Sequence, residues 1–203
     1  MSSARRTRIL EAATELIYQR GFQHTSIDEV ISEAGLCGKG HFYHYFKSKE
    51  ELGYAVLQHA FEQFAESGLA ILRDPVLDPL ERVGRFIDAE VASQAEQHCR
   101  GGCLFGNLAT ELADSHEGFR ERLAKVFDRW SAQLQSVLWE ARPQLRDDAD
   151  IARMARFIIA TLEGALMVSR VNRDVTQLES IGVELKRFIA VQRREAVPAS
   201  VGP

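Results

Sequence analysis

An all-α fold of about nine helices is what the 203-residue sequence predicts. Three observations lead there. Apolar residues recur at intervals of three and four along nearly the whole chain, the spacing that gathers one stripe on a helix. No stretch of note alternates apolar and polar residues as a half-buried strand would. Gly21, Gly35, the Gly101-Gly102 pair, Pro75, Pro79 and Pro143 punctuate the pattern where helices should stop or start.

Taken in order, Ile9, Ala12, Ala13, Leu16 and Ile17 share one face of a first helix, ended by Gly21. Thr25 or Ser26 can cap a short second helix whose apolar positions are Ile27, Val30, Ile31 and Ala34, with Gly35 closing it. A third short helix covers about 38–45. Ser48-Lys49-Glu50-Glu51 has the form of a capping box, and the fourth helix it opens should reach about Leu72. Leu80, Val83, Ile87 and Val91 mark a fifth helix, broken at Cys99-Arg100-Gly101-Gly102. A short helix with Leu104, Leu108 and Leu112 follows. The clearest period runs from Phe119 through Trp130 to Ala141, where Pro143 stops it. Two helices, about 149–170 and 175–194, close the pattern. The first is apolar over most of its circumference and should be buried on more than one side. A tail over 196–203, rich in Pro, Gly and Ser, is expected to be disordered.

Composition narrows the class. The apolar share is 45% and the charged share 27%, as in an ordinary soluble domain. The net charge of −4 excludes a chain that is basic throughout. Residues 1–50 nevertheless carry seven Lys and Arg against six Asp and Glu. The excess of acid lies entirely in the rest, as expected of one local DNA-facing surface on an acidic body. Three cysteines, Cys37, Cys99 and Cys103, argue for a reducing compartment rather than a disulfide framework, so the cytoplasm is expected. No run is long enough to span a bilayer, and the helical pattern beginning beside Arg5, Arg6 and Arg8 is not that of a signal peptide.

The informative segment runs from Thr25 to Lys49. It reads as two short helices around a tight turn: Ala34 is small where they cross, Gly35 permits the turn and Leu36 plugs the joint. Phe42 and Phe46, four apart, can anchor the second of the pair. That leaves Gly38, Lys39, Gly40, His41, Tyr43 and His44 facing outward. Small residues at the start allow close backbone approach to a duplex. Lys39 and His41 can reach base edges or phosphates, and Tyr43, Tyr45, Lys49 and Thr25 can donate to the phosphate backbone. Ser26, Cys37, Gly38, Gly40 and His44 complete the set expected to touch DNA.

Here the chain resembles the TetR family of bacterial repressors. The likeness rests on Gly21-Phe22, Thr25-Ser26, Ala34-Gly35-Leu36, Gly38-Lys39-Gly40, Phe42-Tyr43-His44-Tyr45-Phe46 and Lys47-Ser48-Lys49-Glu50-Glu51-Leu52, and covers about residues 5–56. It implies a helix-turn-helix head over 1–47 and a ligand-binding and dimerisation body over 48–195. It also implies homodimerisation through the last two long helices, here at Ile158, Leu162, Gly164, Ala165, Leu185 and Phe188, and a ligand that moves the two heads apart. The partners are then double-stranded operator DNA, a small hydrophobic or electrophilic effector and a second copy, with no cofactor, metal or membrane. Repression by steric block is the expected output, with activation an alternative. Cys37 and His41 depart from the residues usual at their positions, small hydroxyl and small or aliphatic respectively. A narrower likeness, Gly102-Cys103-Leu104-Phe105-Gly106-Asn107 with Glu163-Gly164-Ala165-Leu166, is to a subgroup in which a Gly-Cys pair opens the sixth helix beside the ligand.

For the body, Phe86, Phe105, Phe127, Trp130 and Phe157 are candidate ligand contacts, although apolar residues at helical spacing are more often plain core. Glu90, Asn107, Glu111 and Thr161 are polar groups on otherwise apolar faces, which cost free energy unless paired, and so are candidates to orient a ligand. Cys103, near Arg100 and at a helix start, is either an electrophile or oxidant sensor or a small buried residue beside the ligand pocket. His41 and His44 lack the further ligands a closed metal site needs. Two rival classes are a small helical enzyme and a ligand-binding protein without DNA binding. No nucleophile–base pair or phosphate loop supports the enzyme, and His116 beside Asp114 and Ser115 reads as a loop and helix cap.

Overall fold

Capping residues and apolar stripes divide the chain into ten α-helical segments in the computed structural model, which describes residues 2–194. They are α1 (Ser2–Arg20), α2 (Ile27–Glu33), α3 (Lys39–Tyr43), α4 (Lys49–Glu66), α5 (Gly68–Ile71), α6 (Pro79–Glu96), α7 (Leu104–Leu112), α8 (Glu117–Glu140), α9 (Ile151–Asn172) and α10 (Val175–Val191). Nine are of five residues or more, α5 is a single turn, and Arg142–Gln144 adds a 3-10 turn. No β-strand occurs among the described residues. The tail expected to be disordered lies outside them.

Two local expectations are revised. The helix predicted to run to Leu72 breaks at Ser67. The Ser67 hydroxyl donates to the Gln63 carbonyl at 2.8 Å, and Gly68, a poor helix former, follows. The full capping box sits not at Ser48 but at Ser26. There Ser26 Oγ accepts from the Glu29 N–H, and the Glu29 carboxylate accepts from the Ser26 N–H at 2.8 Å. At Ser48 the hydroxyl does accept from the Glu51 N–H, but the Glu51 carboxylate reaches the Lys47 N–H instead.

The helices form two compact units. One joins the residues through Ser67 to Arg100–Arg129; the other joins Gly68–Cys99 to the described residues from Trp130 onward. In the first, α1 packs on α2 and α4, and α2 on α3. Its aromatic centre is a run of tilted rings: Phe22 and Phe119 have centroids 4.8 Å apart, as do Tyr54 and Phe119. Gly53 on α4 makes room for it, because a Cβ there would stand 2.6 Å from ring carbons of both Phe22 and Phe119.

In the second unit α10 packs on α6 and α9, and α5 on α6. Gly182 lets α10 approach α6, where its missing Cβ would lie 3.2 Å from Val91. Phe86 and Trp130 meet edge to face at 6.2 Å between centroids, both almost fully buried. One buried cation is accommodated. The Arg82 guanidinium donates to the Glu140 carboxylate at 2.7 Å and to the Leu77 carbonyl at 3.0 Å, which offsets its desolvation. The end of α10 is fastened by main-chain bonds from Arg146 N–H to Gln192 O and from Arg194 N–H to Gln144 O.

Gly53→Ala should therefore lower unfolding stability by about 2 kcal/mol through overpacking against the two rings, read as a lower denaturant midpoint with an unchanged slope.

Candidate nucleic-acid interface and effector residues

The head is built from the α2–α3 joint outward. Gly35 takes a φ of +61°, a left-handed conformation that favours glycine, and the Leu36 N–H returns to the Ile31 carbonyl at 2.9 Å. Arg8 on α1 reaches over this turn and donates to the Ala34 carbonyl at 2.6 Å. Phe42 and Phe46 are buried with their rings 5.9 Å apart and fix one side of α3 to the unit. The opposite side of α3 and its leading turn lie open to solvent: Cys37, Lys39, Gly40, His41, Tyr43 and His44 are exposed, and Gly38 and Tyr45 are half-buried. Lys39 pairs with Asp28 of α2 at 3.1 Å, with both side chains well exposed. A pair so solvated is worth little, so a phosphate can replace the carboxylate at small cost.

Three residues predicted to touch DNA have other work. Thr25 is buried, and its hydroxyl donates to the Gly21 carbonyl at 2.8 Å. The Ser26 hydroxyl is engaged with Glu29 in the capping box. Lys49 is folded back on the turn between α1 and α2, with Nζ 3.2 Å from the Gln23 carbonyl and 4.6 Å from the centre of the Phe22 ring. Partial burial pushes its pKa down, against the pull of the Glu111, Glu50 and Glu29 carboxylates. Lys49 is thus a brace within the unit, and Lys47, two residues earlier and exposed, is the cation that sequence reasoning passed over.

The residues predicted to bind ligand divide between the units. In the first, Cys103 is the half-buried N-cap of α7, and Phe105 is buried 6.2 Å from the Phe61 ring and 6.1 Å from that of Phe64. Asn107 donates to the Gly101 carbonyl at 2.6 Å, and Phe127 is half-buried. Glu111, predicted to orient a ligand, instead accepts the backbone N–H groups of Phe22 at 2.9 Å and Gln23 at 2.6 Å. Tyr18 adds a second tie from α1 to this part of the chain, its hydroxyl donating to the Gly102 carbonyl at 3.0 Å. Sequence reasoning missed it, because a half-buried tyrosine on an amphipathic helix carries no signal of its partner.

In the second unit Phe86 and Trp130 are core, and Thr161 is half-buried. Phe157, predicted to face a ligand, is 47% exposed and stacks on Phe188 at 4.5 Å. Glu90 is the unusual group: burial, with the facing Glu163 carboxylate adding to it, pushes its pKa up to about 7.

The residues expected at a dimer interface divide as well. Ile158, Leu162, Ala165 and Leu185 are buried within the protomer's own core and cannot form an exposed face. Gly164 has open space where its Cβ would be, and Phe188 is half-buried. Around them Phe157, Met167, Val168 and Val171 on α9, with Val183 and Val191 on α10, leave large apolar side chains in water. The buried and exposed sides of α9 are both apolar, so the sequence pattern could not separate them.

A solvent-facing second helix on a Gly-centred turn, followed by an all-helical body, defines a helix-turn-helix regulator. The chain belongs to the tetR family of bacterial regulatory proteins: that family matches residues 9–56, and the tetracyclin repressor-like C-terminal domain matches residues 79–182. It is 31% identical over 173 residues to an uncharacterized HTH-type transcriptional regulator of Lactococcus lactis, covering 85% of this chain and 87% of that protein. It is 27% identical to the transcriptional regulator AcuR of Cereibacter sphaeroides, covering 92% of this chain and 86% of that one. The solved reduced form of Escherichia coli NemR superposes with a TM-score of 0.82 at 26% identity, covering 91% of this chain and 96% of that one. The chain is accordingly a ligand-responsive, DNA-binding transcriptional regulator and not an enzyme. Regulators of this family bind operator DNA and act as dimers with small-molecule effectors. Among the described residues no helix is long and apolar enough to cross a membrane.

The raised Glu90 pKa has a signed consequence. The folded chain keeps a proton that the unfolded chain releases above about pH 4.5, so stability falls as pH rises from there to about 7 and is then level. Glu90→Gln should remove this slope and leave the variant more stable than wild type above pH 7 by on the order of 2 kcal/mol, measured by denaturant unfolding across pH.

Proposed function

We propose that the chain is a homodimeric repressor that holds an operator duplex through α3 and leaves it when a small hydrophobic or electrophilic molecule binds. The observation that carries this reading is the two-sided character of α3. Phe42 and Phe46 pin one side, while Lys39, His41, Tyr43 and His44 present donors and acceptors outward from a rigid, five-residue rod. Such a rod fits a major groove, with its leading residues at base edges and flanking donors at phosphates.

Dimerisation is supported by the exposed apolar stripe of Phe157, Gly164, Val168 and Val171, spaced by seven, four and three along α9 and joined by Val183 and Val191 on α10. A soluble monomer seldom leaves so many large apolar groups in one region. Twofold pairing would set two α3 rods at the half-sites of a palindromic operator. Release requires that the effector bind the DNA-incompetent arrangement more tightly than the competent one, since equal affinity shifts nothing. A repressor of this kind works in the cytoplasm.

The test compares two lysines on the same head, using duplex DNA from upstream of the chain's own gene. Lys39→Ala should weaken binding across sequences and lower the slope of log affinity against log salt by about 1. Lys49→Ala should leave that slope unchanged and reduce thermal stability instead. Light scattering of the wild type should return twice the 22.8 kDa chain mass. A monomer, or a chain that binds no duplex at low salt, refutes the proposal.

A further inference from the structure

Between α4 and the first half of α8, within the first unit, lies a groove of about 200 Å³. Its walls include Tyr54, Leu57, Val126 and three cations, Arg122, Lys125 and Arg129. The cations fall at intervals of three and four on α8 and so share one side of it. Two are held by rings: the Arg122 guanidinium carbon lies 3.7 Å from the centre of Tyr54, and that of Arg129 lies 4.2 Å from the centre of Phe61. Stacking fixes a guanidinium plane and leaves N–H edges free to donate. Arg122 spends one such N–H on the Gly118 carbonyl at 2.9 Å. Among the described residues none of the three cations forms an ion pair. The floor is apolar, with Leu57 and Val126 buried.

We propose that this groove binds a small organic anion, a carboxylate carried on a ring or short apolar body, and that the DNA head reads its occupancy. Three un-neutralised cations side by side repel one another, and a carboxylate among them relieves that repulsion with charge-assisted hydrogen bonds. Leu57, Val126 and the Tyr54 ring offer nothing to a bare phosphate but cover an apolar body. The volume lies below the ~300–1,000 Å³ of a site for drug-sized ligands, which limits the guest to one ring or its equivalent. Coupling follows from contacts already described. Arg122 lies on Tyr54, Tyr54 meets Phe119, Phe119 meets Phe22, and the Phe22 N–H is bonded to Glu111. A carboxylate that draws Arg122 away loosens the stack seating the α1–α2 turn. This second half rests on the reading of the chain as an effector-controlled DNA binder; the binding half does not.

Calorimetric titration of the full chain with benzoate, benzamide and inorganic phosphate tests the groove. Benzoate should bind once per chain. Benzamide and phosphate should bind at least about tenfold more weakly, and Lys125→Glu should lower benzoate affinity at least about tenfold with an unchanged melting temperature. Equal binding of benzoate and benzamide, or benzoate binding unaffected by Lys125→Glu, overturns the anion site. So does a wild type that ignores benzoate; if Lys125→Glu then also loses duplex affinity, the cations are phosphate contacts for DNA. In parallel, anisotropy of a labelled upstream duplex should show benzoate weakening the wild-type complex and not that of Lys125→Glu. Benzoate heat without any change in duplex affinity refutes the coupling. A wild type that binds no duplex refutes the regulator reading, while the calorimetry still decides the groove.

Discussion

The carboxylate of Glu111, holding the backbone N–H groups of Phe22 and Gln23, is the interaction on which the DNA-facing unit depends. Both bonds are charge-assisted and bridge elements almost ninety residues apart in sequence. They join α7 to the turn between α1 and α2. Gly21 makes the approach possible in two ways. Its φ of +87° suits glycine, and a Cβ there would stand 2.9 Å from a Glu111 oxygen. The turn is closed from a third side by α4, through Lys49 on the Gln23 carbonyl and the Phe22 ring. The start of α2, and through the Gly35 turn the outward side of α3, are therefore fixed by groups that never need to touch a duplex.

That arrangement separates stability from recognition. The residues doing the fixing are paired or packed, and all but the exposed Arg8 are buried or half-buried: Thr25, Lys49, Tyr18, Phe42 and Phe46. Those proposed to recognise DNA are exposed and weakly committed, as the solvated Lys39–Asp28 pair shows. A surface that makes few contacts of its own gives up little when a duplex replaces water. Glu90 follows the opposite logic in the second unit, where burial, with the Glu163 carboxylate adding to it, makes it retain its proton close to neutral pH. A core built for stability alone would place apolar side chains there.

Most of the fold could be read from the chain, because helix periodicity and capping are local. The Gly35 turn, the burial of Phe42 and Phe46 and the cap of α4 at Ser48 are settled within a few residues, whereas the break at Ser67, short of the expected Leu72, was not legible. The long-range part was not legible. Thr25 and Lys49 look like phosphate donors in any one-dimensional reading, and only the approach of Gly21, Gln23 and Glu111 shows them occupied. Glu111 stands out in the sequence as a carboxylate on an apolar face that needs partners, but its partners are main-chain N–H groups. In sequence Phe157 reads as a ligand contact and Ile158, Leu162 and Ala165 as interface, because α9 is apolar on two sides and periodicity alone does not say which side the protomer keeps. The α4–α8 groove gave no signal, since Arg122, Lys125 and Arg129 read as a solvated helix face until Tyr54 and Phe61 stand beneath them.

Amide hydrogen exchange at Phe22 and Gln23, compared between the wild type and Glu111→Ala, tests the bracket most directly. If the carboxylate holds the turn, both amides are protected in the wild type. They should exchange at least about tenfold faster in the variant, while amides in the middle of α8 keep their rates. Equal protection of Phe22 and Gln23 in the two proteins would contradict the account, because the turn would then hold its form without the group said to fix it.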